Sequence, residues 1–201
     1  MIDPAFFIDG HMEFKIIQKI CPNKVVRRIG LNGRVEISAI AAKVAFLIKS
    51  LSNRKHPYVV LIDREERGES CEEIRLNLIR ELRKQGIRDE LCVGVSDRMI
   101  ENWILADWDS FTANIGITAV RPATIEGVSG KGLIRKYFKE YHETTDGVEL
   151  FTKSDPSAIS LNSASFDNFA RNCSILKCPW LSSGSLHIPL TVDRTTSARK
   201  G

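Results

Sequence analysis

The sequence predicts an α/β fold, a mostly parallel four-stranded sheet flanked by helices, with a helical C-terminal extension. Three observations predict it. Strand-like and helix-like stretches alternate through the first half with short breaks between them. The run Tyr58-Val59-Val60-Leu61-Ile62 is continuously apolar and rich in β-branched residues, as a strand covered on both faces is. The chain has 201 residues, 43% hydrophobic and 27% charged, which suits one globular domain with a small appendage.

The elements follow in order. Ala5 to Asp9 is a short apolar run ending in an acid. Met12 to Cys21 carries Met12, Ile16, Ile17 and Ile20 at helical spacing and stops at Pro22. Val25 to Ile29 is a second strand, closed by Gly30-Leu31-Asn32-Gly33, and Arg34 to Leu51 is a strongly amphipathic helix. Tyr58 to Ile62 is the third strand, ending at Asp63. A helix over about Cys71 to Gln85 follows, with Gly86 as its C-terminal stop. Leu91 to Val95 is the fourth strand and Met99 to Ala106 the helix after it. Beyond Trp108 the pattern weakens. Lys131 to Tyr141 and Ser163 to Asn172 read as helices around a polar stretch from Thr144 to Pro156, and the tail from Lys177 to Gly201 reads as irregular. The organisation is therefore a core over 1–110, a helical extension over 111–176 and a tail over 177–201.

Composition excludes a disordered chain, a collagen-like repeat and a coiled coil. No stretch approaches 18 consecutive apolar residues, so no membrane span is expected. Met1 to Gly10 lacks the pattern of a signal peptide, which makes a cytoplasmic protein the expectation. A net charge of +4 permits nucleic-acid binding without demonstrating it. Five cysteines with no CxxC pair read as reduced structural thiols. Cys173 and Cys178 make half a metal site at most, since no second pair completes it.

The acids carry the functional signal. In an open α/β sheet, ligands bind beyond the carboxyl ends of the strands. Asp9 ends the first strand, with Glu13 one helical turn later. Asp63 closes the third strand, with Glu65 and Glu66 directly after it, and Glu101 opens the helix after the fourth. Three strand ends thus deliver carboxylates to one edge. A hard cation such as Mg²⁺ or Mn²⁺ offsets their repulsion and supports phosphodiester cleavage. Arg64, Arg67, Arg98 and Lys131 are candidates for holding the phosphate. The plainer readings are specific too. Asp97 reads as an N-cap or turn residue, Glu65 to Glu73 as an acidic helix entry, and Glu101 as a residue facing water while Ile100, Ile104 and Leu105 face the core. Neither Gly30 to Gly33 nor Gly127 to Gly132 fits a nucleotide fingerprint. The second glycine stretch reads as a loop carrying Lys131 to a phosphate. Among the histidines, only His11 lies where it can assist a site.

Three segments carry a resemblance. Phe7-Ile8-Asp9-Gly10-His11-Met12-Glu13 resembles the opening motif of Toprim domains, and Val59-Val60-Leu61-Ile62-Asp63-Arg64-Glu65 resembles their second motif. Glu101-Asn102-Trp103-Ile104-Leu105-Ala106-Asp107, with Ser163-Ala164-Ser165-Phe166, is similar to segments of the Toprim-like nucleases grouped as domain-of-unknown-function family 4276. The resemblance spans about residues 5 to 172. It implies a Rossmann-like Toprim core, a Mg²⁺ or Mn²⁺ site, nuclease activity on DNA or RNA, and an ATPase partner in anti-phage or mobile-element systems. Carried over, Asp9 stands where those domains have Glu, with Glu13 beside it as ligand or base. Asp63 and Glu65 would hold the metal, Glu101 would complete the cluster, and Arg98 or Lys131 would contact phosphate. The expected partners are thus nucleic acid and an ATPase, with a homodimer allowed and no membrane. The competing expectation is a non-catalytic subunit that docks on an ATPase through Trp103, Trp108 and the C-terminal helices.

Overall fold

The computed structural model describes residues 3–31, 35–52, 55–176, 178 and 180. The strands β1 (Ala5–Ile8), β2 (Val25–Arg28), β3 (Tyr58–Asp63) and β4 (Leu91–Ser96) form one sheet in the order β2-β1-β3-β4. Every pairing is parallel. Alternate residues serve opposite faces. Phe6, Ile8, Val59, Leu61 and Cys92 enter one apolar cluster, whereas Ala5, Phe7, Val60, Ile62, Val93 and Val95 enter the other. Burial on both sides explains why β1 and β3 read as unbroken apolar runs, whereas the edge strand β2 ends in the exposed Arg27 and Arg28.

The second face is covered by α2 (Ile37–Lys49) and α3 (Cys71–Lys84). The first is covered by α1 (His11–Ile20) together with α4 (Glu101–Ala106), α5 (Trp108–Ile115), α6 (Gly130–Tyr137), α7 (Val148–Lys153), α8 (Pro156–Asn162) and α9 (Ala164–Asn172). The chain thus leaves β1 over one face to reach β2, then returns over the other face to reach β3. The order reverses between β1 and β3, and this crevice at the carboxyl ends is where doubly wound sheets bind ligands.

The C-terminal helices pack directly on the sheet. Trp103 of α4 lies parallel to Phe169 of α9 at 5.6 Å and edge-on to Phe166 at 5.1 Å. A side chain at Gly94 of β4 would collide with Phe169, so the glycine lets α9 lie directly on the strand. The 110/111 boundary expected from the sequence falls within α5. Cys21, Cys92, Cys173 and Cys178 are all buried in this shared cluster, and the Cys178 thiol packs against Cys21.

Several expected bounds shift. The helix after β2 starts at Ile37, and the one after β4 starts at Glu101, because Arg98 interrupts the turn with a left-handed φ of 61°. The helix from Lys131 stops at Tyr137, and Tyr141 turns into the core. The stretch from Thr144 to Pro156 is not simply polar loop. A π-helical turn over Glu143–Gly147 runs into α7, and α8 starts at Pro156. These elements and α5 are each no longer than 8 residues, too short for an apolar period to show. Asn32, Gly33 and Arg34, and the tail from Lys177 apart from Cys178 and Trp180, lie outside the described residues. No helix among the described residues is long and apolar enough to cross a membrane.

Candidate active site

The loop after β1 places the first carboxylate. Gly10 is the N-cap of α1, and Glu13, three residues on, folds its carboxylate back over it. A Cβ at position 10 would strike Glu13 Oε2. Glycine there is what lets Glu13 turn toward the strand ends, and the residue is only 6% exposed.

Asp63 is the last residue of β3 and faces Ser96 of β4 in register. The Ser96 hydroxyl donates to Asp63 Oδ1. Glu101 opens α4 and is 3% exposed. It does not face water, as its place in an apolar turn also allowed. Its carboxylate accepts from the Tyr141 hydroxyl at 3.5 Å.

These three acids line one cleft of about 790 Å³. Glu65, Glu66, Arg98, Lys131 and Glu143 line it too, with His11. Lys131 Nζ pairs with Glu143 at 2.7 Å. Ser129 caps α6 by accepting the Gly132 N–H, which fixes the start of the helix that carries Lys131. Arg98 donates to the exposed Glu66 at 3.0 Å. Glu65 lines the cleft as well, but its carboxylate is 3.4 Å from Arg67.

The electrostatics follow from burial. Desolvation raises the Glu13 carboxyl from its ordinary 4.5 to about 7, with Glu101, Asp9 and Glu143 adding repulsion. Desolvation also holds Asp63 well above the usual carboxylate range; Glu13 adds to this and the Ser96 hydroxyl opposes it. Glu101 is raised by burial, against the pull of its own backbone N–H and of Lys131. Each acid is thus held above its ordinary range by burial first, with repulsion from neighbouring carboxylates adding to it, from Glu143 in the case of Glu101.

Asp9 stands apart. It does not line the cleft. Burial and Glu65 raise its carboxyl while Arg67 and Arg28 lower it, which places it toward the β2 side of the sheet edge. Two of the candidate phosphate ligands are structural. Arg64 holds Asp97 through contacts of 2.7 and 2.6 Å. Arg67 is 7% exposed and clamps the Val35 carbonyl at 2.9 Å and the Arg64 carbonyl at 3.2 Å.

Asp97 is a turn residue rather than an N-cap, its carbonyl accepting the Met99 N–H at 2.8 Å. It is buried against Arg64 and accepts the Gly127 backbone N–H. Together with Asn102, whose amide donates to the Ile125 and Val128 carbonyls at 2.6 and 3.0 Å, it anchors the loop leading to Lys131. Ser163 and Ser165 support the same loop. Glu126 accepts from both hydroxyls, at 2.7 and 3.0 Å, and Ser165 Oγ accepts the Trp103 indole N–H at 2.8 Å. The Ser-x-Ser-Phe segment is therefore a helix start and a brace. Sequence reasoning missed Glu143, Tyr141 and Ser96, because each sits where no local pattern marks it.

The donor set for a metal is of the right chemistry. Glu13, Asp63 and Glu101 offer only hard carboxylate oxygens, and all three are held above their ordinary range in a way that a cation would relieve. No three His, Cys, Asp or Glu side chains among the described residues are already gathered as a metal cage. Comparison with known proteins gives no match, whether to a family model, a curated protein or a solved structure.

Proposed function

We propose that this protein is a Mg²⁺- or Mn²⁺-dependent phosphodiesterase of Toprim-like type that acts on nucleic acid. One observation carries the reading. Carboxylates from the end of β3 (Asp63) and from the first turns of the helices after β1 and β4 (Glu13 and Glu101) share a single cleft at the switch point of a parallel sheet, with Arg98 and Lys131 beside them.

Asp63 and Glu101 would hold the cation, with Glu65 within the same cleft. When bound, a divalent ion lowers the pKa of a coordinated water and offsets charge on the phosphate. Glu13 takes the water's proton. Its carboxylate lines the same cleft as Asp63 and Glu101, and the charge of a bound cation would keep it ionised and able to accept the proton. The water oxygen bonds to phosphorus, the bond to the leaving sugar oxygen breaks, and that oxygen takes a proton from solvent. Arg98 and Lys131 hold the non-bridging oxygens. Lys131 is shared with Glu143 until substrate competes for it.

The docking alternative draws no support from the tryptophans. Trp103 and Trp108 are 1% and 5% exposed and belong to the core.

The test pairs cleavage with metal binding. Wild type should cleave labelled oligonucleotides only with Mn²⁺ or Mg²⁺, and Asp63→Ala should not. Saturating Mn²⁺ at about 100 times its Kd should stabilise wild type by roughly 2.7 kcal/mol and the variant not at all. Equal cleavage by Asp63→Ala, or no cleavage and no Mn²⁺ stabilisation of wild type, overturns the proposal.

A further inference from the structure

The mouth of the cleft holds an aromatic ledge that the reaction itself does not use. His11, the first residue of α1, is exposed and lines the cleft beside Glu13. Its ring lies parallel to that of Phe14, with 6° between the planes and 6.2 Å between centroids. The two residues are three apart on one helix face, so the helix itself sets their offset. Phe14 is half-buried against the core, which anchors the pair.

The carboxylates lie at the opposite extreme of exposure. Glu13 is 6% and Glu101 3% exposed, so they form the floor of the cleft. Arg98 and Lys131 line the same cleft, and the buried Arg98 Nε has no hydrogen-bond partner. A phosphodiester must descend past these cations to meet the acids. In a duplex the bases are paired and stacked inward, so laying one face-on against a side chain at the mouth of the cleft requires unpairing and unstacking. A single strand needs neither. It also presents free base faces, which stack on aromatic side chains irrespective of sequence; a paired duplex offers only base edges.

We infer that the cleft takes a single strand of DNA or RNA, with the base beside the scissile phosphate stacked on His11 and the phosphate held by Arg98 and Lys131. This rests on the phosphodiesterase reading and adds to it a strandedness and a specificity residue.

Binding without cleavage tests it. Fluorescence anisotropy of short labelled oligodeoxyuridylate and oligouridylate, which differ only at the 2′ position, reads affinity in EDTA with no metal present. Wild type should bind the single strand at least about ten-fold tighter than the matching duplex. Replacing one stacking partner costs about 5- to 100-fold in affinity. His11→Ala should therefore weaken single-strand binding by that factor, and His11→Phe, which keeps an aromatic ring and drops the ring nitrogens, should restore it. An oligonucleotide of abasic phosphates should bind wild type and His11→Ala alike. The tighter of the two oligomers identifies the sugar.

Equal affinity for duplex and single strand overturns the inference, as does an unchanged His11→Ala. The two readings fail separately. Stacking-dependent binding with no metal-dependent cleavage sinks the phosphodiesterase and keeps the platform. Metal-dependent hydrolysis of bis(p-nitrophenyl) phosphate with no strand preference does the reverse.

Discussion

The backbone N–H of Glu65 donates to the carbonyl of Arg98 at 2.8 Å, and both residues are left-handed, with φ of 55° and 61°. One lies just past the end of β3 and the other just past β4, so the bond clasps the two loops that frame the cleft. Neither is a glycine, and the conformation costs an L-residue about 1–2 kcal/mol. It persists because Arg64 N–H to the Ser96 carbonyl at 3.0 Å and the Arg64–Asp97 pair hold the loops from both sides. Such strain is found where geometry at a site is being held.

Glu65 therefore separates backbone from side chain. Glu65→Gly should match or exceed wild-type stability in urea denaturation, and Glu65→Val should cost about 1–2 kcal/mol. If the valine variant is as stable as the glycine variant, the left-handed turn is not retained in solution.

Stability should fall as pH rises through the range set by Glu13. Its carboxyl is raised from 4.5 to about 7, so between those values the folded state keeps a proton that the unfolded chain has released. The unfolded state binds fewer protons there, and unfolding becomes easier with rising pH, by at most roughly 3 kcal/mol. Below that window the carboxyl is protonated in both states and the penalty vanishes. Urea denaturation at about pH 5 and about pH 8 should show the loss in wild type and a smaller one in Glu13→Gln. Identical pH dependence in the two proteins would mean the carboxylate is not desolvated.

Gly10→Ala tests the loop that aims Glu13. The added methyl meets Glu13 Oε2, the end of a flexible side chain that can swing away. Thermal stability should change little, while cleavage should fall at least about ten-fold as the base loses its position. Retained cleavage with an unchanged pH profile would show that Glu13 does not need that placement.

Ser165→Ala should be costly although it lies outside the cleft. Its hydroxyl satisfies the Trp103 indole N–H at 2.8 Å and the Asp97 N–H at 3.3 Å, and it donates to Glu126 at 3.0 Å. Removing it leaves buried polar groups unpaired, at about 1–3 kcal/mol. Denaturant midpoints measure this directly, and a loss under about 0.5 kcal/mol would mean the network re-forms without it.

The sequence by itself determined the elements that carry a long enough period. The four strands, α1 to α3 and their alternation follow from apolar patterning, and the parallel sheet follows from that order. It also put Asp9 and Asp63 at strand ends, because a strand's end is a local property. The tertiary structure alone decided which acids meet. Glu13, Asp63 and Glu101 share a cleft with Glu143, while Asp9, equally well placed along the chain, falls outside its lining. The difference arises from strand order and from the way α4 and the turn after α6 pack, which no spacing records. Asp97 makes the same point. Read locally it is a cap or turn residue; in the fold it is a turn residue that is also a buried acid, paired with Arg64 and holding Gly127. Local patterns encode burial and backbone state, whereas the partners of a side chain depend on contacts between residues far apart in sequence.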